Sequence, residues 1–125
     1  MINILLIDDD KLEKEFFSRS LLRICKGHYH LDYVEKCSQA VTCMMSNSYD
    51  YIFLDNKLSD AINSEFSVPF VKVHSRTAKL IIISNHIEVD YLADPKTLGV
   101  DLILDKSKLY AFLESELETR SRQAI

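Results

Sequence analysis

The sequence predicts a doubly wound α/β domain in which five βα units surround one parallel sheet. Short apolar runs alternate five times with segments whose apolar residues recur at helical spacing. The first run, Ile2 to Ile7, is apolar apart from Asn3, as expected for a strand covered on both faces. A chain of 125 residues with 47% hydrophobic content supports one core, so we expect a single domain over residues 1–125.

The first two βα units follow in order. The helix after the first strand presents an apolar face that Gly27 can terminate, formed by Leu12, Phe16, Phe17, Leu21 and Ile24. Residues 29–35 form a weaker, more polar strand, which suggests a place near the sheet edge. Ser38 can then cap a second helix, whose buried residues are expected to be Ala40, Val41, Met44 and Met45.

Three further apolar runs, at 51–54, 80–83 and 102–104, predict the remaining strands. Prolines disturb the two helices between them. A short helix is expected after Ser67, because proline at position 69 is tolerated only in a first turn, and Pro95 breaks the segment 87–98, with Asp94 capping a final turn. The closing helix is amphipathic, and residues 119–125 are expected to be a tail or linker.

Composition excludes several classes of function. A net charge of -4 and a pI near 5.5 give no general attraction for nucleic acid or anionic lipid. No apolar run approaches the roughly 20 residues needed to span a bilayer, so a cytoplasmic protein is expected. Three cysteines without a CxxC pair disfavour disulfides and zinc, and Gly27 and Gly99 are too few glycines for a nucleotide-binding loop.

Carboxylates follow two of the predicted strands. Right-handed crossovers favour the strand order 2-1-3-4-5, which places the first and third strands side by side and brings Asp8, Asp9 and Asp55 together. Ionised carboxylates about 4 Å apart repel by roughly 4 kcal/mol per pair at an effective dielectric of about 20, so the cluster needs a cation. Oxygen ligands without Cys or His indicate Mg²⁺, with Mn²⁺ as the alternative.

The other strand ends suit a phosphoryl group. Ser84 supplies a hydroxyl donor and Lys106 a compact ammonium charge. A carboxylate can attack phosphorus to give an aspartyl phosphate, with metal and lysine offsetting the charge of the transferring group. Asp55 is the best candidate nucleophile because it stands alone on its strand, whereas Asp8 and Asp9 are paired as metal ligands usually are.

Over essentially its full length the chain resembles the receiver domain of two-component response regulators, a CheY-like family with a flavodoxin-like fold. The resemblance is carried by "LLIDDDK", "YDYIFLDNKLSD", "IIISN" and "LILDKS". It implies phosphoryl transfer with Mg²⁺ from a histidine kinase or phosphotransfer protein, or a small phosphodonor, onto Asp55. Asp9 and Asp55 would bind the metal directly, Asp8 would bind it through water, and the backbone carbonyl of Lys57 would complete the site.

The resemblance also implies self-catalysed chemistry at Asp55 only, and a signal that passes through helix 4, strand 5 and helix 5. The recipient would be a downstream protein or a fused output domain, with a homodimer as an option and no direct nucleic-acid or membrane binding. Lys57 and His86 occupy positions that flank the phosphoryl group, so we expect them to set its lifetime.

The chain departs from the family pattern at three positions. Ser107 and Ser59 replace prolines of the loops after the lysine and after the acceptor. Ile103 replaces the aromatic residue that couples to the hydroxyl of Ser84, so the usual switch cannot operate as such.

Two alternatives stay open from the sequence. The first is a receiver-fold interaction module that works without phosphorylation, as these departures suggest. The second is a phosphatase similar to haloacid dehalogenases, since Asp8 and Asp10 form a DxD after an apolar strand, although Leu12 does not fit that motif.

Overall fold

The computed structural model describes residues 1–123, apart from the side chains of residues 119 and 121–123. The strands are β1 (Ile2–Ile7), β2 (Tyr29–Val34), β3 (Tyr51–Asp55), β4 (Lys79–Ser84) and β5 (Leu102–Asp105). The helices are α1 (Lys11–Cys25), α2 (Cys37–Ser46), α3 (Ser64–Ser75), α4 (Pro95–Leu98) and α5 (Leu109–Gln123). Short 3-10 turns cover Asp90–Leu92 and Lys106–Lys108.

The five strands form one parallel sheet in the order β2-β1-β3-β4-β5, which confirms the predicted fold class. Alternate residues of β1 face opposite sides, as the pleat requires. Leu5 and Ile7 pack with α2 and α3, whereas Ile4 and Leu6 pack with α1 and α5. The sheet therefore lies between two helical layers, and its central strands are buried on both faces.

The buried face of α1 is rotated relative to the predicted one. Phe17, Leu21 and Ile24 are buried as expected, and the ring of Phe17 meets Phe53 edge-on at 4.9 Å. Leu12 is 75% exposed, and Phe16 is 42% exposed with its ring against Tyr110 of α5, so their assignment to the buried face was wrong. The stripe of α1 that reaches the sheet is instead centred on Phe17 and Leu21.

The helix α2 is capped from outside its own segment. Lys36, not the predicted Ser38, is the N-cap residue. The carboxylate of Asp60, in the loop after β3, accepts the N–H groups of Cys37 at 2.9 Å and Ser38 at 3.1 Å. Because a distant acid satisfies these N–H groups, no hydroxyl is needed at the helix start. Ala40 and Met44 are buried on α2 as predicted, but Met45 is exposed.

The helix α3 begins earlier than predicted. Asn63 caps it by accepting the N–H of Phe66 at 3.3 Å, so the first turn precedes Ser67. Pro69 lies inside the helix on its exposed side. The missing N–H would have bonded to the carbonyl of Glu65, and that residue is also exposed, so water can take the place of the lost donor.

The segment between β4 and β5 is broken as predicted. After the turn at Asp90–Leu92, Asp94 caps α4 by accepting from Lys96 N at 3.1 Å and Thr97 Oγ1 at 2.8 Å. Gly99, at φ 90°, ends the helix after four residues. In the described part of the chain no helix has the length and apolarity to cross a membrane. The helix α5 runs to Gln123, and residues 124 and 125 of the expected tail lie outside the described residues.

Candidate functional site

The carboxylates predicted to converge do so at the carboxyl edge of the sheet. Strands β1 and β3 are neighbours and pair Ile7 with Leu54, so the residues that follow each strand lie side by side. Asp8 is fully buried, Asp55 is 8% exposed and Asp9 is exposed. One carboxylate oxygen from each of the three lies within 4.8 Å of the others.

A lysine that follows the edge strand β5 completes the cluster. Lys106 follows β5, and its Nζ lies 3.1 Å from Asp8 Oδ2 and 3.5 Å from Asp55 Oδ1. Its side chain is only 10% exposed. One ammonium group therefore contacts two carboxylates in a place that is mostly shielded from water, where charge pairing is strong.

The charges in this cluster act on one another. Burial and the neighbouring Asp8 raise the pKa of Asp55 to about 7, against the opposing attraction of Lys106. Burial lowers the pKa of Lys106, but Asp55 and Asp8 outweigh burial and leave that pKa raised. Lys106 thus stays an ammonium ion, and it only partly offsets the negative charge of the three acids.

Asp10 has a different role from its neighbours. Its backbone N–H donates to Asp8 Oδ1 at 2.9 Å, which fixes the orientation of the Asp8 carboxylate. Its own carboxylate caps α1 by accepting the N–H of Leu12 at 2.9 Å. The clustered acids are therefore Asp8, Asp9 and Asp55, and not the Asp8–Asp10 pair that a phosphatase similar to haloacid dehalogenases would use.

A cleft of about 430 Å³ opens above the cluster. Its walls include the predicted site residues Asp9, Asp55, Lys57, Ser84, His86 and Lys106, together with Ser59. Lys57 and His86 are both exposed at the cleft. The fold thus brings the predicted polar residues of four strand ends to one cavity.

This chain resembles known proteins in its structure. No family model matches the sequence, and no curated protein matches it. A two-component response regulator from Clostridium difficile superposes with a TM-score of 0.77 at 24% identity, covering 96% of this chain and 98% of that one. A CheY-like receiver domain from Methylobacillus flagellatus gives 0.72 at 25%, covering 95% and 98%.

The response regulator TrrA from Thermotoga maritima, solved with Mg²⁺ and BeF, gives a TM-score of 0.75 at 23% identity, covering 95% of this chain and 98% of that one. TrrA has also been solved in complex with the histidine kinase ThkA. This chain has the receiver fold. The resemblance found in the sequence motifs is thereby confirmed at the level of the fold.

In this receiver fold the hydroxyl of Ser84 is engaged by its own loop. Ser84 is buried at the end of β4, and its Oγ donates to the carbonyl of His86 at 2.9 Å and accepts the N–H of His86 at 3.2 Å. To donate to a group bound at Asp55, the hydroxyl has to leave the carbonyl of His86.

Two polar residues of the cleft were not found from the sequence. Asn56, which directly follows Asp55, is 3% exposed and donates from Nδ2 to the hydroxyl of Tyr91 at 2.8 Å. Its Oδ1 accepts from Ser64 Oγ at 2.6 Å and Ser64 N at 3.1 Å. Asn56 thus connects the first turn of α3 with the 3-10 turn after β4. The place of Asn56 directly after Asp55 in the sequence was a signal that could have identified it, but no pattern indicated Tyr91.

Of the two residues of the predicted switch, Ser84 lines the cleft and Ile103 does not. Ile103 is half-buried in β5, pairs with Ile82 and packs against the core under α2 and α3. Ser59 and Ser107 are both exposed, and Ser107 lies in the 3-10 turn Lys106–Lys108. Its backbone N–H donates to Asp105 Oδ1 at 2.9 Å, a bond that a proline at 107 could not make.

Proposed function

We propose that this receiver-fold protein is a phosphoacceptor of a two-component system. Asp55 takes a phosphoryl group from a histidine kinase, a phosphotransfer protein or a small phosphodonor, and the modified protein changes its affinity for another protein. The observation that supports this proposal is the cluster of Asp8, Asp9 and Asp55, with Lys106 in contact with two of them.

The acidic cluster fits a hard divalent cation. All its donors are oxygens, and one lysine does not neutralise three carboxylates, which favours Mg²⁺ or Mn²⁺. By the receiver resemblance, Asp9 and Asp55 would hold the ion directly, Asp8 would hold it through water, and the carbonyl of Lys57 would complete the set. A bound ion would offset the negative charge of the phosphoryl oxygens.

Three residues of the cleft have separate roles in phosphoryl transfer. An ionised oxygen of Asp55 attacks phosphorus, the bond from phosphorus to the donor nitrogen or oxygen breaks, and the donor keeps that electron pair. Lys106 moves its contact from the Asp55 carboxylate toward the phosphoryl oxygens, whose charge it stabilises. Ser84 exchanges the His86 carbonyl for a phosphoryl oxygen, so transfer and a change in the loop after β4 occur together.

Lys57 and His86 face the position of the phosphoryl group and control its hydrolysis in this proposal. Both are exposed at the mouth of the cleft, where they can exclude or orient the attacking water. Lys57→Ala and His86→Ala should therefore change the decay rate of the phosphorylated protein. Decay equal to that of the wild type in both variants would remove this part of the proposal.

A second candidate function is an interaction module that does not use phosphorylation. Two observations favour it: Ser84 is already hydrogen-bonded to its own loop, and Ile103 offers no aromatic ring to couple with that hydroxyl. Both candidates place the protein in the cytoplasm, as a signalling domain whose partner is another protein or a fused output domain. Neither needs nucleic acid or a membrane.

Mass spectrometry with peptide mapping separates these functions. Incubation with acetyl phosphate and Mg²⁺ should add one phosphoryl group at Asp55, and Asp55→Asn should abolish the addition. Asp94→Asn is the matched control, because it makes the same chemical change at the cap of α4, away from the residues that line the cleft, and should leave phosphorylation intact. No modification would favour the interaction module, and modification at Asp8 would favour phosphatase-type chemistry.

A further inference from the structure

The outward face of α3 is apolar where a surface helix is normally polar. Four residues form what we call the α3 stripe: Ile62, Phe66, Phe70 and Val73, with exposed fractions of 78%, 51%, 53% and 76%. Three of them lie on the helix, at spacings of four and three residues that keep them on one side, and Ile62 continues the stripe just before the N-cap. The rings of Phe66 and Phe70 contact each other, with centroids 5.5 Å apart.

The opposite side of α3 makes this distribution unusual. The buried side carries three serines, Ser64, Ser67 and Ser75, besides Val68 and Val71. The helix therefore places hydroxyl groups toward the core and phenyl rings toward solvent, the reverse of an ordinary amphipathic helix. Single exposed apolar residues need no explanation, but a contiguous set rimmed by charge marks an interaction surface.

We propose that the α3 stripe is the contact surface of an antiparallel dimer of two copies of this chain. Its charged neighbours Glu65 and Lys72 lie seven residues apart on the helix, so they share one flank of the stripe. A two-fold axis perpendicular to two antiparallel helices places equal flanks together with their directions reversed. With the axis between Phe66 and Phe70, Glu65 of each copy lies opposite Lys72 of the other.

The charges beside the stripe favour an antiparallel pair of α3 helices over a parallel pair. A parallel pair would set the charged flank against the flank that carries His74 and would leave Glu65 without an opposite charge. The antiparallel pair joins two acids to two bases symmetrically and also opposes the two helix dipoles. The surface is thus complementary to itself, as a two-fold contact requires.

The area indicates a weak contact. Phe66 and Phe70 are half-exposed, and a fully buried aromatic side chain removes about 150–250 Å² from water, so the pair contributes roughly that much per copy. Even with Ile62 and Val73 this is below the roughly 800 Å² per partner of a standard interface. We expect a dissociation constant on the order of tens to hundreds of micromolar. The dimer does not require phosphorylation at Asp55.

Sedimentation velocity on the full chain, from about 10 µM to about 1 mM, tests the proposal across the expected constant. The wild type should shift from monomer to dimer in this range, and Phe70→Ser should stay monomeric while keeping the wild-type circular dichroism. Leu22→Ser, which also removes an exposed apolar side chain but from α1, is the matched control and should dimerise as the wild type does.

Charge exchange tests the orientation. Glu65→Lys and Lys72→Glu should each weaken the dimer at least several-fold at low salt, and the double variant should recover it. Since Lys72 Nζ also donates to the carbonyl of Gly99 at 2.7 Å, thermal melting of Lys72→Glu checks that its monomer stays folded. A wild type monomeric throughout would leave the stripe to a different partner and overturn the proposal. A dimer that survives Phe70→Ser, or a double variant that does not recover, would overturn it as well.

Discussion

Replacing Asp55 by asparagine should stabilise the metal-free protein at alkaline pH. The carboxylate is 8% exposed, lies beside Asp8, and has its pKa raised to about 7. An acid whose pKa is higher in the folded than in the unfolded chain stabilises the fold when protonated. That stability is fully present below the unfolded value of 3.8 and is lost as pH rises through about 7.

The pKa shift sets the magnitude of this effect. With a pKa of 3.8 in the unfolded chain and about 7 in the folded chain, Asp55 lowers the free energy of unfolding by about 2 kcal/mol at pH 5 and by about 4 kcal/mol at pH 8, relative to a side chain that stays protonated. Attraction to Lys106 is already contained in that pKa. Because asparagine does not ionise, the free energy of unfolding of Asp55→Asn relative to the wild type should rise by about 2–3 kcal/mol from pH 5 to pH 8.

Urea unfolding in EDTA at the two pH values measures this difference, with Asp10→Asn as the matched control. Adding Mg²⁺ at pH 8 should raise the stability of the wild type and not that of Asp55→Asn, since the ion binds the ionised carboxylate. If the difference in free energy of unfolding between Asp55→Asn and the wild type did not change with pH, the fold would not raise the pKa of Asp55.

Three further predictions concern hydrogen bonds and packing in the fold. Tyr91→Phe leaves the buried Nδ2 of Asn56 without its acceptor and should lower the free energy of unfolding by about 1–3 kcal/mol in urea titrations; an unchanged value would contradict this role of the Tyr91 hydroxyl. Asp60→Ala removes both acceptors at the start of α2 and should cost about 0.5–2 kcal/mol, whereas Asp60→Asn keeps one acceptor oxygen and should cost less; an unchanged melting temperature in Asp60→Ala would contradict the capping role. Phe17→Ala should lower the free energy of unfolding in urea titrations by about 3–5 kcal/mol, whereas Phe16→Ala should lower it by less than about 1 kcal/mol. Equal losses in the two variants would contradict the assignment of Phe17 to the buried face of α1.

The fold and the acidic cluster were predictable because each depends on rules that act locally. Continuous apolar runs identify buried parallel strands, and the handedness of their connections leaves one favoured strand order. The end of each strand then fixes the edge to which Asp8, Asp55 and Lys106 belong. A prediction of this kind needs the position of a residue along its strand and no side-chain conformation.

The parts that the sequence did not reveal depend on partners distant in the chain. The first N–H groups of α2 are accepted by Asp60, 23 residues beyond Cys37, so the expectation of a local hydroxyl at Ser38 was wrong. The start of α3 was misplaced because the rule for Pro69 was applied without the cap at Asn63. The bond between Asn56 and Tyr91 spans 35 residues and could not be inferred from any periodic pattern.

The contacts around Asp55 lead to α3 more directly than to the face that the receiver resemblance implies. That face would use α4, β5 and α5, but here α4 has four residues and β5 carries Ile103 where an aromatic ring would respond to Ser84. By contrast, Asn56 is covalently next to Asp55 and holds both the N–H and the hydroxyl of Ser64 in the first turn of α3. The residue after Asp55 is thus joined by two hydrogen bonds to the first turn of α3, the helix that carries most of the α3 stripe.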